Sequence, residues 1–178
     1  FPAQYKLVYK NKGNITVEST GSGGILFGSS KGGTSTLDSG KTISVGGGGF
    51  TSGTLLLRNF TQKQIGTISL TLGGTAVINM ICDTFDAKLT VSAPSVLLKT
   101  NVFNDSCSFT HTSNYVSSHC DGGNTFNGYT NITTTGSYKI RMGTSLGERF
   151  AGDVEFNGYE GGDVSGIEIG YGGNIYFE

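Results

Sequence analysis

The chain has no tryptophan, two prolines and few charges. Asp, Glu, Lys and Arg make up only 14% of its 178 residues, well under the roughly 25% of ordinary globular domains. The 12 basic and 13 acidic residues leave a net charge of −1 and form no basic stripe. The electrostatic footprint of a nucleic-acid binder is therefore missing. No apolar run approaches the roughly 18 residues that a membrane-spanning helix needs. Helical periodicity is nearly absent too. Low charge with scattered Val, Ile, Leu, Phe and Tyr is not the composition of a disordered chain, which combines high charge with few β-formers. In place of charge there are 30 glycines and an excess of Ser, Thr and Asn. That composition suits an all-β protein with many tight turns.

Apolar residues alternate, as half-buried strands require. The clearest cases are ITV from Ile15, KTISV from Lys41, TLLLRNF from Thr54, TISLTL from Thr67, KLTV from Lys88, YKIRM from Tyr138, DVEF from Asp153 and GIEIG from Gly166. Gly, Asn, Asp or Ser bound most of them. No internal linker interrupts residues 1–178, so the whole is read as one segment. Its start at Phe1 without Met, and its end in NIYFE within an apparent strand, give the expectation of a piece of a longer chain.

A repeat emerges around phenylalanine. FDAKLTV from Phe85, FNDSCSF from Phe103, FNGYTNI from Phe126 and FAGDVEF from Phe150 share a Phe, a small-residue turn and an alternating strand. The Phe-to-Phe spacings are 18, 23 and 24. Further strands are expected at SVLLK from Ser95, NYVSS from Asn114, YKIRM from Tyr138 and SGIEI from Ser165. Two architectures fit. In a right-handed parallel β-helix of roughly 18–25-residue coils, stacking about 4.8 Å apart would place Phe85, Phe103, Phe126 and Phe150 in one internal ladder. In a β-sandwich the same units would be hairpins, and Asn127-Gly128 and Asn157-Gly158 are good hairpin dipeptides. The coil-length recurrence of a strand-opening Phe favours the β-helix. A propeller would need blades of about 40 residues.

The GNTFNG…ITTTGS unit, the segment Thr36 to Gln62 and the FxGDVEF strand resemble very large, secreted, repetitive surface proteins of Bacteroidota with NTFNG-type repeats. Asn124 to Gly136 and Gly40 to Thr61 carry the likeness best. The resemblance implies an extracellular adhesin or surface filament, exported by the type IX system and linked to gliding motility. Its partners would be surface glycans or other surface and secretion-system proteins. Residues 1–33 match the repeat poorly and read as a cap or junction.

Candidate chemistry is sparse, and no catalytic constellation is visible. Cys82, Cys107 and Cys120 are an odd number, which in a secreted chain leaves one thiol over. Cys107 and Cys120 are a candidate disulfide pair across one loop; the alternative is three small buried hydrophobes. His111 and His119 lie between them, but this spacing matches no common zinc pattern. Asp153, Glu155, Glu160, Asp163 and Glu168 cluster late. Asp153 and Glu155 share a strand face, so a carbohydrate-binding or polysaccharide-degrading β-helix is the alternative function; the plainer reading is a solvated face. Gly46 to Gly49 lack the following GKS/T and helix of a phosphate loop. TNITTT would belong to an ice-binding face only if its register repeated on successive coils. The sequons at Asn14, Asn59, Asn104 and Asn131 are what a Ser/Thr/Asn-rich chain throws up by chance. No cofactor is implied.

Overall fold

A computed structural model describes residues 9–11, 15–17, 24–28, 33–46, 50–158 and 166–178. Glu160, Asp163, Gly47 to Gly49, Asn14 and most of the poorly matching first 33 residues lie outside these. The described residues contain strands and turns and no helix. Each coil passes through three sides. The first three coils are β1 (Tyr9–Asn11), β2 (Ile15–Val17), β3 (Ile25–Gly28); β4 (Ser35–Leu37), β5 (Ile43–Val45), β6 (Thr54–Arg58); and β7 (Phe60–Gln62), β8 (Ile68–Thr71), β9 (Val77–Ile81). Next come β10 (Thr84–Phe85), β11 (Leu89–Ala93), β12 (Ser95–Lys99) and β13 (Val102–Phe103), β14 (Cys107–His111), β15 (Ser118–His119). The last are β16 (Thr125–Phe126), β17 (Thr130–Thr134), β18 (Lys139–Met142), then β19 (Glu148–Phe150), β20 (Val154–Asn157), β21 (Gly166–Ile169), with β22 (Ile175–Phe177) opening one more.

Every third strand is a neighbour. The first sheet runs β1-β4-β7-β10-β13-β16-β19-β22 and the second β2-β5-β8-β11-β14-β17-β20. The third side comprises a four-stranded sheet, β12-β9-β6-β3, and a three-stranded one, β15-β18-β21. All pairings between these strands are parallel, as in β10 with β13 and β14 with β17. This is a parallel β-helix, and parallel crossovers of L-residues run right-handed. A sandwich of hairpins is excluded, because hairpins pair antiparallel. The coil step ranges from 18 residues between Phe85 and Phe103 to 30 between Ile25 and Leu55, and it is 27 between Phe150 and Phe177, so the first and last coils both exceed the expected range.

Asn127-Gly128 closes no hairpin. It forms the corner between β16 and β17, which lie in different sheets. Glycine is needed there for closeness: a Cβ on Gly128 would sit 2.4 Å from the Asp105 carbonyl carbon of the coil below. TLLLRNF is likewise two strands rather than one. Asn59, with φ of 51°, turns the chain between β6 and β7.

Inside, the rings of Phe85, Phe103, Phe126 and Phe150 form one column, and Phe177, exposed at its end, extends it. Successive centroids are 5.3, 4.9, 4.6 and 5.5 Å apart, with interplanar angles of 15° or less. Each such pair adds about 0.5–1.5 kcal/mol to the burial of its area. Phe109 meets Phe103 edge-on at 5.3 Å. In the coil before Phe85, register puts Gln62 in this column instead. Gln62 is fully buried, and neither of its amide atoms has a hydrogen-bond partner. Phe60 occupies the inward position two residues earlier and meets Phe85 at 6.2 Å, tilted by 42°.

A second inner column is polar. Asp83, Asn101, Asn124 and Glu148 each precede a ladder Phe by two residues, and none is more than 1% exposed. Each side chain accepts the backbone N–H of the coil before it. Phe60 N–H donates to Asp83 Oδ1 at 2.8 Å, Asp83 N–H to Asn101 Oδ1 at 3.0 Å, Asn101 N–H to Asn124 Oδ1 at 2.9 Å and Asn124 N–H to Glu148 Oε2 at 2.9 Å. Asn101 Nδ2 donates to the Met80 carbonyl and to Asn124 Oδ1, both at 3.0 Å. Cys82, Thr100 and Gly123, just ahead of three of these residues, have φ of 57°, 56° and 76°. That left-handed step turns the chain from the third side into the first sheet. It also withdraws backbone N–H groups from the ladder, and the polar column accepts them, since a buried orphan donor costs about 1–3 kcal/mol.

Candidate functional site

Alternation decides what the coils present. On the second sheet, Leu89, Val91, Phe109 and Ile132 point inward and are fully buried. The residues between them point out, and register aligns them from coil to coil. One outer column reads Ser44, Ser69, Thr90, Ser108, Asn131, Glu155. Another reads Thr71, Ser92, Thr110, Thr133, Asn157. From Ser44 to Thr133 this grid carries hydroxyls and amides and no charge. Neighbours along a column are about 4.8 Å apart, and i, i+2 neighbours along a strand about 6.6 Å. A third row precedes the strands. Backbone bonds from Leu89, Cys107 and Thr130 to the carbonyls of Ser106, Tyr129 and Asp153 set the order Lys88, Ser106, Tyr129, Asp153.

The TNITTT run is not a threonine face. Thr130 and Thr134 are buried inside, while Asn131 and Thr133 face out. Thr133 Oγ1 donates to Asn131 Oδ1 at 2.7 Å.

Asp153 and Glu155 are both exposed, at one end of the grid. Glu155 accepts hydrogen bonds from Tyr129 Oη, from Asn157 Nδ2 at 3.0 Å and from Asn131 Nδ2 at 3.3 Å. The Tyr129 bond first, then the Asn157 bond, hold its carboxyl below the usual range. Glu155 is thus an acceptor that fixes Tyr129, and a proton donor to a leaving group needs the opposite shift. Glu168 lies on the third side, away from this pair, bound to Lys139 and Arg141. Arg141 also stacks on Tyr171, 4.8 Å from the ring centroid, and its Nη1 donates to His119 Nε2 at 3.0 Å.

Cys107 and Cys120 form no disulfide; all three cysteines are free thiols. The reason is topological. Cys107 lies on β14 of the second sheet, its sulfur 3.5 Å from Thr130 Oγ1. Cys120 follows β15 on the third side, with its thiol on the Val96 carbonyl at 3.5 Å. Burial pushes the Cys107 thiol up to about 12 and raises Cys120 as well, so neither is a reactive thiolate. Cys82 is exposed.

His111 and His119 are not brought together. His111 is buried, its Nε2 3.1 Å from the Val116 carbonyl, and burial lowers its pKa. His119 faces out. Among the described residues no three His, Cys, Asp or Glu side chains converge as a metal site. NYVSS is mostly a turn in which Ser113 Oγ accepts the N–H groups of Tyr115 and Val116, both at 2.9 Å. Only Ser118 and His119 are strand. There the third side divides. Val96 N–H donates to Ser118 Oγ at 2.8 Å instead of to a backbone carbonyl.

Two features escaped the sequence reading. The polar column was signalled by D-x-F, N-x-F, N-x-F and E-x-F ending on the ladder phenylalanines. The outer grid had no such signal, because its coils use Ser, Thr and Asn interchangeably. Among the described residues no helix is long and apolar enough to cross a membrane. No family model, curated protein or solved structure matches the chain.

Proposed function

We propose that the chain is a structural and adhesive module. A stiff β-helical segment outside the cell holds regular polar faces toward a glycan, a surface or a partner protein. The observation that supports this reading is the outer grid of the second sheet. Its uncharged hydroxyl and amide groups stand in register over successive coils, and parallel hydrogen bonding between coils fixes their spacing. Individually weak polar contacts repeated at fixed spacing add through effective concentration. The resemblance to secreted repeat proteins of Bacteroidota supports this reading, and carried over it implies a cell-surface module exported by the type IX system.

The test is mechanical. Beads coated with the 178-residue chain are flowed over surfaces bearing polysaccharides, surface proteins or whole cell envelopes. Retention on at least one surface, well above albumin-coated beads, is expected. Release from all of them at the albumin rate rejects adhesion.

A further inference from the structure

The second sheet's outer face is not flat throughout. In the row Lys88, Ser106, Tyr129, a small residue stands between two long ones, and a shallow notch opens there. Lys88 and Tyr129 are its walls, two coil steps or about 9–10 Å apart. Ser106 and Ser108 form its floor, and Thr110 and Asn131 continue it along the strands. Tyr129 is 46% exposed, yet its ring is held in place, because its hydroxyl donates to Glu155.

We propose that this notch binds one ring of an uncharged glycan, with Tyr129 as the stacking platform. The assignment deepens the adhesive reading above and rests on it. A pyranose has an apolar C–H face and an equatorial rim of hydroxyls. It therefore needs an aromatic ring on one side and a fringe of neutral donors and acceptors on the other. Tyr129 supplies the first; Ser108, Thr110 and Asn131 supply the second. Fixing the ring beforehand lowers the ordering cost of binding. Neutrality follows from the surroundings. Asp105 and Asp153 are exposed close by, and Glu155 is held ionised. Against one lysine these carboxylates repel a polyanion. Neighbouring coils continue the polar grid, so a longer chain gains further contacts beyond the notch.

The full chain is incubated with cellulose, β-1,3-glucan, mannan and galactan, and with polygalacturonate as the anionic arm. Bound and free protein are then measured. Retention on at least one neutral polymer is expected, with Tyr129→Ala weakening it at least ten-fold. Ser106→Tyr, which fills the notch from a half-buried, outward-facing position, should do the same without removing the platform. Tyr171→Ala, on the third side, should bind as the parent does. Unchanged thermal midpoints show that the variants fold. Three results overturn the notch: Tyr129→Ala and Ser106→Tyr binding like the parent, polygalacturonate bound better than any neutral polymer, or no polymer retained. In the last case, beads that still adhere to envelopes leave the adhesive reading standing, whereas beads that do not remove both.

Discussion

Removing the Asn101 side chain should cost far more than removing the similar side chain of Asn127. Both asparagines belong to columns that run from coil to coil. Asn127 Nδ2 donates to Asn104 Oδ1 at 2.7 Å, on the outside of the first sheet. Asn101 accepts the Asp83 N–H at 3.0 Å and donates to the Met80 carbonyl at 3.0 Å, with no exposed surface. Asn101→Ala orphans a buried N–H at about 1–3 kcal/mol and leaves a small cavity that adds to it. A total of about 3 kcal/mol is expected. At this chain length that lowers the thermal midpoint by roughly 6–12 °C. In Asn127→Ala water replaces the lost partner, so about 0.5 kcal/mol or less is expected. Asn101→Asp keeps the acceptor for Asp83 but turns the Nδ2 donor into an oxygen facing two oxygens. At neutral pH it should be at least as damaging as Ala. Urea unfolding of the four proteins under one set of conditions measures the difference. If Asn101→Ala and Asn127→Ala lose the same amount, burial is not what makes the inner column matter.

The buried carboxylates make stability depend on pH in an unusual direction. Desolvation pushes Asp83 and Glu148 up to about 7, while the N–H groups of Phe60 and Ile81, and the side chain and N–H of Asn124, pull the other way. A folded value above the unfolded one means the native state holds the proton more tightly. This contribution is complete below about pH 4 and is lost as pH rises through about 7. Thermal midpoints of the parent, less those of Asp83→Asn/Glu148→Gln, should fall between pH 4 and 8; a flat or rising difference contradicts it. The thiols give a second check. Iodoacetamide on the native protein should label Cys82 alone, as seen by intact mass, and all three cysteines after denaturation. Fast native labelling of Cys107 or Cys120 would contradict their burial.

Much of the coil was legible in the chain. Phe85, Phe103, Phe126 and Phe150 recur at coil length because each must fill the same slot in the first sheet. Phe60 and Phe177 were not included. Phe60 lies inside TLLLRNF, where nothing local reveals that Asn59 adopts a left-handed φ. Phe177 needs the 27-residue step of the last coil. The candidate disulfide failed for a related reason. Thirteen residues of sequence separation do not tell which side of a coil each cysteine occupies, and the turn at residues 112–117 carries Cys120 to another side.

By itself the sequence determined the all-β character, the solvated surface and the internal phenylalanine column. Each follows from composition or from a period that local chemistry imposes. Tertiary structure alone decided the sites. Coil steps of 18 to 30 residues hide which outward residues meet. Only the stacked register places Ser106 between Lys88 and Tyr129, sets Glu155 against the Tyr129 hydroxyl and threads Asp83, Asn101, Asn124 and Glu148 into one buried column. The physical reason is that these contacts pass between coils, through backbone hydrogen bonds that every sequence can make equally well.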